Sequence, residues 1–221
     1  MKAQDIFKLG FVLFSFMLIG CQKESLRITD QQQEESFLAD AQLVGLVRGV
    51  TAHDGSLDNI VDNSSCFSIN FPYYCNVNGE VFYYEQASDL KVIYPTDEVE
   101  PVFPISMTYA DYGEITVNSR AEFDDLIGRC ASGLLYNDAI QCVDLIYPVS
   151  ISMYNTETLD FQTVTFDHDR LTFTQISAMS SSDVASINFP IYLQIVGGEI
   201  IQIDSNQDLK AAIQSNLTFC F

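Results

Sequence analysis

Apolar and polar positions divide the chain into three regimes. Residues 11–19, Phe-Val-Leu-Phe-Ser-Phe-Met-Leu-Ile, form a nearly unbroken apolar run behind Lys2 and Lys8. Residues 22–35 have no apolar face, and Gln31-Gln32-Gln33-Glu34-Glu35 reads as a flexible tether. Phe37, Leu38, Ala41, Val44 and Val47 then fall at near-helical spacing. That spacing predicts a short amphipathic helix over 36–48, with Gly49 as its end signal. Residues 53–65, rich in Asp, Asn, Ser and Gly, read as loop.

The remainder repeats. Phe71-Pro72, Phe103-Pro104, Tyr147-Pro148 and Phe189-Pro190 stand 32, 44 and 42 residues apart, each within an apolar stretch. After each come a turn, a second alternating stretch and a helix start. The second stretches begin at Val81, Ile115, Val164 and Ile200; the helix starts lie at Ser88-Asp89-Leu90, Glu122-Phe123-Asp124, Asp169-Arg170-Leu171 and Gln207-Asp208-Leu209. Each unit therefore reads as a β-hairpin followed by a short helix. Asn78-Gly79 supplies the positive φ of a type I′ turn, and Gly113 and Gly197-Gly198 serve the second and fourth hairpins. A proline inside a strand cannot donate to a ladder, so the repeated Pro is expected at an edge, a bulge or a non-hydrogen-bonded position.

The units pair. Cys66 to Pro72 matches Cys142 to Pro148 in spacing and apolar pattern, and Cys130 and Cys220 each close a half. The expected fold is α+β with antiparallel sheet: four hairpin–helix units in two duplicated ββαββα halves. The expected organisation is a targeting segment over 1–20, a tether with a short helix over 21–65, a first half over 66–130 and a second half with its linker over 131–221.

The N-terminal regime has a chemical reading. The apolar run is too short to span a bilayer and suits a signal peptide. Leu18-Ile19-Gly20-Cys21 resembles a lipobox, the mark of a bacterial lipoprotein precursor. The resemblance implies cleavage before Cys21 and attachment of diacylglycerol to its thiol, and two or three acyl chains hold a protein to a membrane far more firmly than one. Gln22-Lys23-Glu24-Ser25 resembles the surface-export signal of Bacteroidetes-type lipoproteins, with one acidic residue where that signal often has more. Residues 57–66, Leu-Asp-Asn-Ile-Val-Asp-Asn-Ser-Ser-Cys, with the aromatic-Pro hairpins behind them, resemble a group of flavobacterial-type Bacteroidetes lipoproteins over about residues 37 to 220. The group implies an outer-membrane, lipid-anchored place in the cell envelope and brings no activity with it.

Charge narrows the partners. With 10 Lys+Arg against 30 Asp+Glu, the net charge of −20 excludes nucleic acid, whose phosphates require clustered bases. The expected partners are the membrane, through the Cys21 anchor, and a protein or glycan.

Export permits disulfides. With Cys21 lipidated, five cysteines remain, and the duplication suggests Cys66–Cys130 and Cys142–Cys220 with Cys75 left over as a buried thiol. Reduced cysteines that merely pack, or a Cys130–Cys142 bond at the joint, are the alternatives.

Catalytic chemistry is sparse. There is no Gly-x-Ser-x-Gly elbow, and Ser180-Ser181-Ser182 reads as a linker. His168 in Asp167-His168-Asp169 could mimic an oriented base but reads better as a solvated residue between strand and helix, and His53 has no partner motif. Zinc spacing is missing. Asp204-Ser205-Asn206-Gln207-Asp208 opens like an EF-hand loop but lacks its Gly and its bidentate Glu, so an N-cap explains it better. Asp54, Asp58 and Asp62 form a second weak calcium candidate and read as a solvated loop. The expectation is a non-catalytic binding or structural protein without cofactor or metal. The alternative is an envelope hydrolase using carboxylates. A pocket with two carboxylates in an apolar wall would favour the hydrolase; a flat aromatic or acidic face would favour binding.

Overall fold

The structure, a computed structural model, describes residues 36–220. The targeting segment 1–20, the Cys21 lipidation site and the polar stretch 22–35 lie outside the described residues.

Four times the chain repeats one unit: a short strand, an aromatic-Pro pair, a hairpin and a helix. Unit one is β1 (Phe67–Ile69), β2 (Tyr73–Val77), β3 (Glu80–Tyr84) and a 3-10 helix, Ala87–Val92. Unit two is β4 (Val99–Pro101), β5 (Ile105–Tyr109), β6 (Glu114–Val117) and a helix, Arg120–Ala131. Unit three is β7 (Val143–Ile146), β8 (Val149–Asn155), β9 (Phe161–Phe166) and a helix, Asp169–Ala178. Unit four is β10 (Asp183–Ile187), β11 (Ile191–Ile195), β12 (Ile200–Ile203) and a helix, Asn206–Asn216. Ahead of them lie α1 (Ala41–Val50) and the single-turn α2 (Asn59–Asp62); the unit helices of units two, three and four are α3, α4 and α5.

The hairpins and helices are where the sequence pattern puts them, and the class is α+β with antiparallel sheets. The sheet itself is divided into four three-stranded sheets, ordered β1-β5-β6, β3-β2-β4, β12-β11-β7 and β10-β8-β9. Within each half the two units exchange their leading strands. β1 pairs with β5 of the next unit, while β4 turns back to pair with β2. The second half repeats this: β7 pairs with β11 and β10 with β8. Equivalent backbone bonds mark the crossings, with the Ala110 amide donating to Cys66 O and the Val196 amide to Cys142 O, both at about 2.8–2.9 Å.

The prolines therefore do not sit inside strands. Each stands at the junction where the chain leaves one sheet and opens the central strand of the other, and all four aromatic-Pro bonds are cis. A residue without an N–H interrupts a ladder, so the apolar stretch around each Pro is two strands belonging to two sheets.

The turns follow local chemistry. Asn78 and Gly79 both have positive φ, at 54° and 89°, as do Gly197 and Gly198, at 91° and 83°. In the second hairpin it is Tyr112, at 66°, that takes the left-handed conformation rather than Gly113. Its hydroxyl donates to Thr51 O at 2.9 Å, a tertiary tie that holds this backbone in place.

The helices start on one repeated device. Gln86, Ser119, His168 and Ser205 each occupy the N-cap in extended conformation. Ser119, His168 and Ser205 accept the amide of the third helical residue with their side chains, and Gln86 forms a capping box with Asp89.

Two apolar cores result. One joins Phe37, Leu43, Val47 and Val50 to the second half, around Ile151, Phe166, Leu193, Leu209 and Ile213. The other fills the first half, around Phe67, Ile69, Met107, Val117 and Phe123. The described part of the 21–65 segment is packed against these cores, and the tether read over 22–35 lies outside the described residues. Its helix runs to Val50, beyond the expected stop at Gly49. Gly49 is buried inside the helix, because a Cβ there would stand 2.6 Å from Asp138 O in the segment between the halves.

Cys66 is bonded to Cys130 and Cys142 to Cys220, each within its half, while Cys75 is a buried free thiol.

Candidate functional site

Two features of the first half carry chemistry, one on its surface and one beneath it. The surface feature is the outer face of the β3-β2-β4 sheet. Side chains alternate along a strand, so Tyr73, Cys75 and Tyr84 enter the core while Tyr74 and Tyr83 point outward. Register places Tyr74 opposite Tyr83 and Asn76 between Val81 and Glu100. The two phenol rings lie 4.8 Å apart between centroids at an interplanar angle of 44°. Tyr74 is 53% exposed and Tyr83 48%, so about half of each side chain remains accessible to solvent. Glu100 on the same sheet lies 3.9 Å from the Arg120 guanidinium. Because β3 is an edge strand, Val81 and Phe82 are exposed as well.

The interior feature is built by residues 54–65. This loop is closed on itself: a Cβ at Gly55 would stand 2.6 Å from Phe67 N and Ser65 O, and Asn63 takes the left-handed conformation after α2. The consequence is that Asp58 and Asp62, one helical turn apart, point inward and are 0% and 2% exposed. The solvated-loop expectation is corrected for these two. Asp58 Oδ2 accepts the Ile69 amide at 2.7 Å, and Asp62 Oδ1 accepts the Ser64 amide at 3.0 Å. The second oxygen of each, Asp58 Oδ1 and Asp62 Oδ2, is buried without a partner, and so is Tyr73 Oη. Burial, with a smaller contribution from Asp54, pushes Asp58 up to about 7, and burial together with the charge of Asp58 pushes Asp62 up to about 9. Burial likewise raises the Tyr73 hydroxyl, with Asp58 and Asp62 adding to the effect, and pushes the Cys75 thiol up to about 11. A thiol so buried and so basic is an inert core group.

The other sequence candidates find structural roles. His168 caps α4, its Nδ1 accepting the Leu171 amide at 3.2 Å. Ser205 caps α5 and donates to Asp208 at 2.7 Å, which explains the acidic run at 204–208. Asp54 accepts the Ser56 amide and the Gln141 side chain. His53 meets Ser68 at 2.6 Å, a contact between loop and β1 that no sequence motif announced. Ser68 is 6% exposed in a strand buried along its length, so no substrate can reach its hydroxyl. Burial lowers the His53 pKa, with Asp54 opposing and Arg170 assisting.

A cleft of about 500 Å³ in the second half is lined by Met153, Phe161, Gln175 and Met179 with Asp160 and Asp183. The Ser180 amide and the Asn155 side chain hold the Asp183 carboxyl below its ordinary value, which suits a turn anchor and not a proton donor. Thus the strongly raised carboxyls are sealed in the interior, and Asp183, open to the cleft, is held ionised. Among the described residues no group of three or more His, Cys, Asp and Glu could hold a metal ion, and no helix is long and apolar enough to cross a membrane.

The chain matches no known protein-family model, none of the curated proteins and none of the solved structures.

Proposed function

We propose that this chain is a lipid-anchored cell-envelope lipoprotein that binds a neutral glycan without transforming it. The order of Lys2 and Lys8, the apolar run and Leu18-Ile19-Gly20-Cys21 supports the anchor. The observation that carries the binding reading is the exposed Tyr74–Tyr83 pair on the outer face of the first half. Sugar rings present C–H faces that stack on aromatic rings, and a Tyr adds a hydroxyl at the rim of the same surface. Asn76 and Glu100 beside the pair supply the polar groups that fix orientation. A net charge of −20 repels anionic polymers, which disfavours acidic glycans and is compatible with a neutral one. The acid-catalysed alternative has less behind it, because Asp58 and Asp62 are out of reach of a substrate.

The test is co-sedimentation of the full chain, purified in detergent, with insoluble neutral polysaccharides such as β-glucan, xylan and mannan. At least one should retain the protein, and Tyr74→Ala and Tyr83→Ala should release it while the thermal transition stays in place. Equal retention of both variants and the parent would overturn the assignment of the face. Reducing-end release during the assay would overturn the non-catalytic reading.

A further inference from the structure

The interior of the first half holds three side-chain oxygen atoms that are buried without hydrogen-bond partners. Asp58 Oδ1, Asp62 Oδ2 and Tyr73 Oη are all buried, with their residues 0%, 2% and 5% exposed. They come from two separate pieces of the chain. The carboxylates lie on either end of α2, and the phenol enters from β2 with its hydroxyl within electrostatic reach of both. None of the three has a hydrogen-bond partner within the protein.

Burying unpartnered polar atoms is costly, and an unpaired carboxylate costs more than a hydroxyl. The first half had apolar alternatives here: Ile60 and Val61, between the two acids, pack against its core. Within α2 and its N-cap it is the two acids that turn a polar atom inward without a recipient. The remaining oxygen of each acid accepts a backbone amide. Gly55 and Asn63 close the loop around them. A preorganised, inward set of oxygen donors is the arrangement that a bound ion requires.

We propose that Asp58, Asp62 and Tyr73 form an interior site for a hard divalent cation, with calcium as the occupant. Donors that are all oxygen select hard cations over zinc or copper, which prefer nitrogen and sulfur. Two carboxylates balance a charge of two. Magnesium dehydrates reluctantly and keeps several waters, whereas calcium accepts about six to eight oxygens in flexible geometry, including backbone carbonyls. An enclosed site therefore favours calcium. Two acids fall short of a three-acid cage, and the phenol oxygen is the third donor from the chain. The ion would tie α2 to β2 and so fasten the loop to the sheet whose outer face carries Tyr74 and Tyr83. The proposed ion site does not depend on what the outer face binds.

The experiment uses the full chain in detergent, treated with EDTA and then dialysed. Thermal unfolding is followed with and without about 1 mM calcium, the range in which extracellular modules bind. Calcium should raise the transition by several degrees, with magnesium at the same concentration giving a smaller rise. Asp62→Asn and Asp58→Asn should lose that rise. Tyr73→Phe, which keeps the buried ring and removes only the hydroxyl, should fold and show a weakened rise. An unchanged transition in the parent protein on adding calcium would overturn the proposal. So would a rise that survives undiminished in Asp62→Asn and in Tyr73→Phe, because it would then belong to the acidic surface.

Discussion

The carboxylate of Asp58 accepts the amide of Ile69 at 2.7 Å, so the loop ahead of the first half closes the open edge of that half's first strand. β1 is an edge of its sheet, and an edge with free N–H groups invites pairing with another chain. Asp58→Ala removes that acceptor while sparing Asp62. It should lower stability by about 1–3 kcal/mol in urea unfolding, the cost of stranding a buried amide. Asp58→Asn, which keeps an acceptor oxygen, should lose less.

The buried acids give stability a definite pH dependence. A carboxyl whose folded pKa lies above its ordinary 3.8 holds more protons in the folded chain than in the unfolded one. Stability from that difference is complete at pH below 3.8 and falls as pH rises through about 7 for Asp58 and about 9 for Asp62. The charge of Asp54 bears on Asp58, and Tyr73, with Cys75 and Tyr84 beside it, faces both acids. In EDTA the melting temperature should therefore decline from acid to alkaline pH. Asp62→Asn should be more stable than the parent at pH 9 and about equal at pH 4, measured by calorimetry on both proteins. A parallel decline in the variant would show that the pair does not cause it.

Each disulfide closes a long loop, 64 residues between Cys66 and Cys130 and 78 between Cys142 and Cys220. Loops of that size constrain the unfolded chain by about 4 kcal/mol on a chain-entropy basis. Replacing both cysteines of either pair by Ala should lower unfolding free energy by roughly 2–5 kcal/mol. Under non-reducing peptide mapping the parent should yield two crosslinked pairs, and Cys75 should alkylate only after denaturant is added.

Capping should respond uniformly across the repeat. Ser119→Ala and Ser205→Ala each remove a side-chain acceptor for a first-turn amide and should cost about 1 kcal/mol. His168→Ser installs the cap of the sister units and should leave stability unchanged or improved. A loss comparable to that of the Ala variants would mean that the imidazole does more than cap.

The anchor has its own test. Cys21→Ser removes the thiol proposed to carry lipid, so the variant should leave the detergent phase on Triton X-114 partition and keep the mass of its first twenty residues. Retention in the detergent phase at the shorter mass would remove the lipoprotein reading.

What the sequence disclosed was local. The Asn78-Gly79 and Gly197-Gly198 turns, the acidic helix starts and the Cys-to-Pro spacing all encode structure within a few residues of themselves, and each could be read directly. The exchange of leading strands could not, because alternation says which face a side chain takes and nothing about which neighbour a strand chooses. Tyr112 illustrates the same limit: its left-handed backbone is held by a bond to Thr51, far away in the chain. Asp58 and Asp62 were hidden for a related reason. A run of Asp, Asn, Ser and Gly has the composition of solvated loop, and only the tight closure at Gly55 turns two of its acids inward. The Tyr74–Tyr83 pair was hidden among eleven tyrosines until register set the two rings side by side.

The strand exchange has a consequence for how such a chain could grow or be cut. No hairpin in this molecule owns all three strands of its sheet, so the smallest transplantable piece is two units and never one. Gain or loss of units by recombination would have to come in even numbers. An odd count would leave one hairpin lacking its third strand and one leading strand lacking a hairpin. Two such chains would complete each other, so an artificial three-unit version should assemble as a swapped dimer.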